Sequence, residues 1–116
     1  MPAQPSLTST TKIQFIASTV SSIVKTGIFE EMGHDPSNFA AMCAAQASQP
    51  VLRLEAQLLV ELARLNGDAT AMTEIIDAEM EAALGASGVP ADVADNIWAE
   101  NWERVHAMVF GFFTDP

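Results

Sequence analysis

The segment PADVADNIWAENWERVHAMVFGFF, residues 90–113, decides the fold class. Its apolar side chains recur at steps of three and four residues, which places them on one face of an α-helix, with most charged side chains opposite. Both tryptophans of the chain and three of its six phenylalanines lie here. Because burying one such side chain is worth about 1.5–3 kcal/mol, we expect this helix to contribute more to a core or interface than any other. The predicted apolar stripe comprises Ala94, Trp98, Trp102 or Asn101, Val105, Val109 and Phe112, widened by Ile97, Met108 and Phe113.

Four earlier segments show the same helical periodicity and are bounded by helix start and stop signals. Ser9 or Thr10 is expected to cap the first helix and Gly33 to end it, whereas Gly85 is expected to end the fourth. Short connections favour largely antiparallel neighbours. The predicted helices span residues 10–32, 36–48, 50–65, about 68–84 and 90–113.

The sequence thus predicts an all-α fold, a single compact, bundle-like domain of about five helices with short connections. Residues 1–9 are expected to form a flexible tail, and residues 10–116 the helical domain. The third helix is expected to be central, because Leu52, Leu59 and Val60 extend its apolar seam around the cylinder. In the second helix, Phe39, Met42 and Cys43 are expected to face inward, with Cys43 a buried structural thiol.

Composition narrows the classes of function. The chain has 116 residues and is 49% hydrophobic, with no run of 18 apolar residues that would predict a membrane span. Its net charge of −10 opposes binding to nucleic acid, because like charges repel the phosphates, and it favours encounter with a basic partner surface. The charge also serves solubility, which is the simpler explanation. One cysteine and no apparent signal peptide fit a cytoplasmic protein.

One pattern points to metal chemistry, since each histidine stands three residues after a glutamate, in Glu31-x-x-His34 and Glu103-x-x-His106. Di-iron carboxylate bundles use two such pairs with a further glutamate from each of two other helices. Because Gly33 is expected to end the first helix before His34, we predict no enzyme, no metal and no cofactor. A di-metal oxidoreductase remains an alternative. The additional glutamates would be Glu55 or Glu61 and Glu74 or Glu79.

A small-molecule carrier is a third possibility, with methionines lining an adaptable cavity, although methionine more often fills a core. The four methionines concerned are Met42, Met72, Met80 and Met108.

The face of the first helix opposite its apolar stripe has small hydroxyl side chains and almost no charge. Such a face lets another helix approach closely, so it is a candidate for homodimer formation, although it is also compatible with an ordinary tolerated surface. The terminal helix offers a second candidate surface. The self-association residues are Ser18, Ser21, Ser22, Val109 and Phe112.

More apolar helix surface is present than one small core absorbs, which predicts binding to another protein. We expect Trp98, Trp102, Phe110 and Phe113 to supply apolar anchors, because large aromatic side chains are enriched at interfaces. Glu100 and Glu103 are expected to select a basic rim on the partner. The alternative is that Phe110 and Phe113 only close the end of the bundle.

In its length, its five predicted helices, its acidity and its aromatic terminal segment NIWAENWERVHAMVFGFF (residues 96–113), the whole chain resembles the small acidic helical anti-activators of quorum sensing of the QslA type. The resemblance implies a cytoplasmic dimer that binds the ligand-binding domain of a LuxR-type transcription regulator. It further implies that this binding blocks the regulator's own dimerisation, so that the regulator no longer binds DNA although this protein does not contact DNA itself. From composition we expect no membrane partner. The resemblance assigns no site residue.

Overall fold

The computed structural model describes residues 8–113, which form five α-helices and one short 3-10 helix. The predicted all-α fold is confirmed, since these residues contain no strand. None of the helices in this range combines the length and apolarity that a bilayer crossing requires. The α-helices are α1 (Ser9–Met32), α2 (Phe39–Gln46), α3 (Gln49–Ala63), α4 (Ala69–Ala86) and α5 (Ala91–Phe113), with the 3-10 helix at Pro36–Asn38.

Side-chain caps fix where α1 and α4 begin. The Thr8 hydroxyl accepts a hydrogen bond from the Thr11 amide, and the Asp68 carboxylate accepts one from the Ala71 amide, each at 3.1 Å. The predicted cap, Ser9 or Thr10, was therefore wrong: Thr8 caps the first helix, which starts one residue before its predicted boundary. Thr8 and Ser9 belong to its start, while the rest of the predicted tail lies outside the described residues.

The prediction that Gly85 ends the fourth helix was wrong. The helix continues to Ala86, and the chain turns at Gly88, whose φ of +91° suits glycine. A Cβ at Gly85 would meet no atom within 4 Å, so packing does not require glycine at this position of the helix.

Helices α1, α3, α4 and α5 form a four-helix arrangement in which each packs mainly against two of the others. Helix α1 also touches α4, and α2 packs on α1 and α3. Helices α1 and α5 are antiparallel, because Phe15 contacts Phe112 near one end and Gly27 faces Ile97 near the other. One continuous apolar core fills the centre. Its largest fully buried side chains include Ile16, Ile28, Leu54, Leu58, Leu62, Met72, Ile76, Met80, Leu84 and Ile97.

The inward orientation predicted for α2 is wrong for two of its three residues. Only Met42 is buried, whereas Phe39 is 61% exposed and Cys43 is exposed. An eight-residue helix on the edge of the bundle has little surface facing the core, and here Met42 and Ala45 occupy it.

Helix α3 is not covered on all sides as predicted. Leu52 and Val60 are each 52% exposed, because α3 packs between α1 and α4 with its outer side open. The surplus of apolar surface is thus present but widely spread. The large apolar side chains on the surface are Phe15, Phe29, Phe39, Leu52, Val60 and Phe110.

The buried face of α5 is rotated from the predicted stripe. Val93, Ile97, Val105 and Val109 are its buried residues, while both tryptophans lie at the flank, only partly buried. The cause is the close approach of α1, where Gly27 leaves room for Ile97: a Cβ at Gly27 would lie 2.8 Å from Ile97 Cγ2.

Glu61 and Glu79 lie together between α3 and α4. Burial raises the pKa of the Glu79 carboxyl, and the charge of Glu61 and a hydrogen bond with it raise this pKa further. Glu61 Oε2 is buried without a hydrogen-bond partner among residues 8–113. The ionised pair therefore opposes folding.

We expect Glu79→Gln to stabilise the protein at neutral pH by about 0.2–0.5 kcal/mol, the usual size of a repulsion between neighbouring like charges. Because the pKa of Glu79 is higher in the folded than in the unfolded state, its contribution to stability is fully present below the ordinary glutamate pKa and is lost as pH rises through the raised value. The advantage of the variant should therefore vanish on acidification, as measured by urea unfolding across a pH series. Glu74→Gln makes the same charge change at an exposed site of α4, and an equal pH dependence in both variants would contradict this account.

Candidate functional site

Four ring-bearing side chains follow one another along α5 at steps of four residues, and we call Trp98, Trp102, His106 and Phe110 the aromatic ladder. The two indoles are stacked, with ring centroids 5.9 Å apart and planes at 19°. The rings of Trp102 and His106 pack edge to face, with centroids 5.4 Å apart and planes at 73°. The first three are partly buried and Phe110 is 39% exposed. The ladder is therefore an accessible aromatic surface in which Trp98, Trp102 and His106 support one another.

His106 joins the ladder to α4. Its Nε2 lies 3.0 Å from Asp77 Oδ1 and 2.9 Å from Asp77 Oδ2. Because a carboxylate only accepts hydrogen bonds, Nε2 carries the proton and donates. This contact fixes the plane of the imidazole, and the imidazole in turn supports Trp102.

A groove of about 440 Å³ runs between α4 and α5 beside Trp98. Its apolar surface and its carboxylates lie side by side, an arrangement that suits a group with an apolar stem and a positive end, such as an arginine or lysine side chain. The lining residues are Asp77, Glu81, Leu84, Ala94, Asp95, Trp98 and Ala99.

Three of the predicted aromatic anchors belong to the ladder, namely Trp98, Trp102 and Phe110. Phe113 does not, because it packs partly buried against the core. Lys12 of α1 covers it, with Nζ 5.4 Å from the ring centroid and donating a 3.0 Å hydrogen bond to the Phe112 carbonyl.

The two predicted selecting carboxylates separate in the structure. Glu103 is exposed next to Trp102 in the sequence. Glu100 instead lies beside Glu31 of α1, where the charge of Glu31 is the main cause that raises the pKa of the Glu100 carboxyl. Glu100 thus belongs to the seam between α1 and α5 and is not part of the groove.

The predicted self-association residues also separate. Ser18 and Ser22 are exposed on α1, whereas Ser21 is 3% exposed and Val109 is fully buried. Phe112 is partly buried, with Phe15 edge-on at 5.6 Å. Ser21 and Val109 are not accessible to a second molecule. Because α1 contacts every other α-helix, its buried face is broad enough to include Ser21.

The α4 side of the site and the role of His106 were not predicted from the sequence. His106 stands four residues after Trp102 and four before Phe110, so the ladder was visible as a periodic signal. Asp77 and Glu81 gave no comparable signal, since only the packing of α4 on α5 brings them to Trp98.

The two Glu-x-x-His segments do not form a shared set of metal ligands. Glu31 lies beside Glu100, and His106 is bonded to Asp77. Within residues 8–113 no three histidine, cysteine, aspartate or glutamate side chains come together as ligands. Three of the four methionines proposed to line a carrier cavity, Met42, Met72 and Met80, are instead buried in the core.

Comparisons with protein-family models, with curated proteins and with solved structures gave no match. The function of the chain is therefore inferred from the chemistry of its surface.

Proposed function

We propose that this protein is a negative regulator that binds another protein and covers that partner's hydrophobic association surface. The observation that carries the proposal is the accessible aromatic ladder beside an acid-lined groove. Tryptophan is among the residues that most often dominate binding energy at interfaces. Stacked and hydrogen-bonded rings are already ordered, so little side-chain entropy is lost on binding.

The dimensions of the ladder fit a helical partner segment. Trp98 and Phe110 are twelve residues apart in α5, which corresponds to about 18 Å of helix. A partner helix of three to four turns matches this length and would place its apolar side chains along the ladder.

The charge of the site favours a basic partner. Asp77, Glu81 and Asp95 line the groove, Glu103 is exposed nearby, and the whole chain carries −10. Such a field accelerates encounter with a basic surface and disfavours acidic ones. A transcription regulator of the LuxR type is the partner that the resemblance implies, with loss of its dimerisation, and hence of its DNA binding, as the consequence.

Tryptophan fluorescence tests this proposal directly, because both tryptophans of the chain belong to the ladder. We expect the purified ligand-binding domain of a LuxR-type regulator to change the emission saturably and to bind more weakly as salt is added, since salt screens the attraction. The same mixture, analysed by sedimentation, should contain the complex in place of the regulator dimer. An unchanged emission together with a persistent regulator dimer would rule out this partner class.

A matched pair of charge variants separates the groove from the net charge. Asp95→Asn lies in the groove, and Asp92→Asn is an exposed change in the same helix outside it. The first variant should bind more weakly at low salt than the second. Equal binding by the two variants would show that the groove does not select the partner.

A further inference from the structure

The solvent side of α1 bears an unusual surface at steps of three, four, four and three residues, which we call the outer face of α1. It consists of Phe15, Ser18, Ser22, Thr26 and Phe29, all exposed. The two phenylalanines are 55% and 57% exposed, although aromatic side chains of this size are usually covered. Three small hydroxyl side chains lie between them.

The outer face is symmetric about Ser22. Phe15 and Phe29 stand seven residues before and after it, and Ser18 and Thr26 stand four residues before and after it. If a second α1 is laid antiparallel across this face on a two-fold axis through Ser22, each Phe15 meets a Phe29, and each Ser18 meets a Thr26. A surface that complements its own copy in this way is what an isologous dimer contact requires.

The distribution of charge also favours the outer face of α1 as the contact between two copies. Residues 9–29 contain no acidic side chain, whereas the chain as a whole carries −10. Two copies therefore repel each other in most orientations, and approach through the outer face of α1 keeps their carboxylates apart. Arg104, which borders this face, also lies with Glu30 and Glu100 near Thr26, so its charge is offset by neighbouring carboxylates.

The side chains at the centre of the outer face are small enough for a second helix to pack closely. Ser18, Ser22 and Thr26 line a groove with Met108 and Arg104 of α5, which leaves room for a second helix next to the small side chains. The two phenylalanines are fourteen residues, about 21 Å, apart, so they would close the contact at both of its ends.

We infer that the outer face of α1 is a self-association surface and that its occupant is a second copy of this chain, antiparallel and centred on Ser22. This surface is separate from the aromatic ladder, so the inference stands or falls independently of the proposed partner.

Opposite charges at the centre of the contact provide the test. In a dimer with this axis, Ser22→Glu faces its own copy and Ser22→Lys does likewise, so each variant alone should raise the dimer dissociation constant at least about tenfold. A mixture of the two should restore the dimer, because glutamate then faces lysine. Sedimentation velocity over a range of concentrations measures all three samples and the parent protein, and circular dichroism checks that helicity is retained.

Gln57→Glu and Gln57→Lys are the controls, since Gln57 is an exposed residue of α3 that lies away from this face. They should leave the dissociation constant unchanged, and Phe29→Ala should raise it. A parent protein that is monomeric at every concentration would overturn the inference. A mixture of the two Ser22 variants that fails to restore the dimer would do the same.

Discussion

Replacing Ile97 with alanine is expected to lower the free energy of unfolding by about 3 kcal/mol. Ile97 is fully buried where α5 packs against Gly27 of α1. Removing its side chain loses apolar burial and leaves a cavity that the backbone of two packed helices closes only in part. Urea unfolding of the parent and the variant, with an unchanged m-value, measures this loss.

The contact between Gly27 and Ile97 can also be tested with Gly27→Ala, whose effect on stability should change sign when the Ile97 side chain is removed. A Cβ at Gly27 would lie 2.8 Å and 2.9 Å from Ile97 Cγ2 and Cγ1, and a β-branched side chain has little freedom to move away. Gly27→Ala should therefore destabilise the parent, although alanine is otherwise favoured over glycine inside a helix by about 0.5–1 kcal/mol.

In the Ile97→Ala background the obstruction is absent, so Gly27→Ala should stabilise. The double-mutant cycle isolates this coupling between the two positions. A stabilising effect of Gly27→Ala in the parent would show that α1 and α5 are farther apart at Gly27 than the 2.8 Å Cβ distance implies.

Trp102→Ala is expected to weaken binding of the proposed partner, a LuxR-type ligand-binding domain, by about 2 kcal/mol or more, which is about thirtyfold or more in the dissociation constant. Trp102 is at the centre of the aromatic ladder and contacts both Trp98 and His106. Its removal deletes an anchor and also frees its two neighbours. Isothermal titration calorimetry is the suitable measurement, because the variant loses half of the tryptophan signal.

Phe39→Ala is the matched control, since Phe39 is an exposed aromatic residue on α2, away from the ladder. It should bind like the parent, and both variants should keep their helicity. Equal weakening by the two changes would indicate general apolar adhesion in place of a defined site.

The fold was predictable from sequence because its determinants are local. Apolar periodicity identified each helix and placed the starts of α1, α3, α4 and α5 within one residue of their observed positions. The rotation of α5 was not predictable in the same way. Steps of three and four residues allow either Ile97 or Trp98 to face inward, and the choice depends on Gly27, which lies seventy residues earlier in the chain.

The candidate site, like the fold, was only partly predictable from the sequence. Its aromatic half lies on one helix, so Trp98, Trp102 and Phe110 could be named as aromatic anchors from the residue types of that helix alone. Its acidic half requires the register of α4 against α5, which sets Asp77 against His106. Exposure was the other source of error, because hydrophobicity alone does not show that a short edge helix leaves Phe39 uncovered.

Lys12 ties the beginning of α1 to the end of α5. The last turn of α5 has no basic residue of its own, and the Lys12 ammonium supplies a positive charge and a hydrogen-bond donor to the unsatisfied carbonyls there. Fraying at either helix end breaks the hydrogen bond from Lys12 and exposes Phe112 and Phe113. We therefore expect the two ends to open together, although they lie a hundred residues apart in the chain.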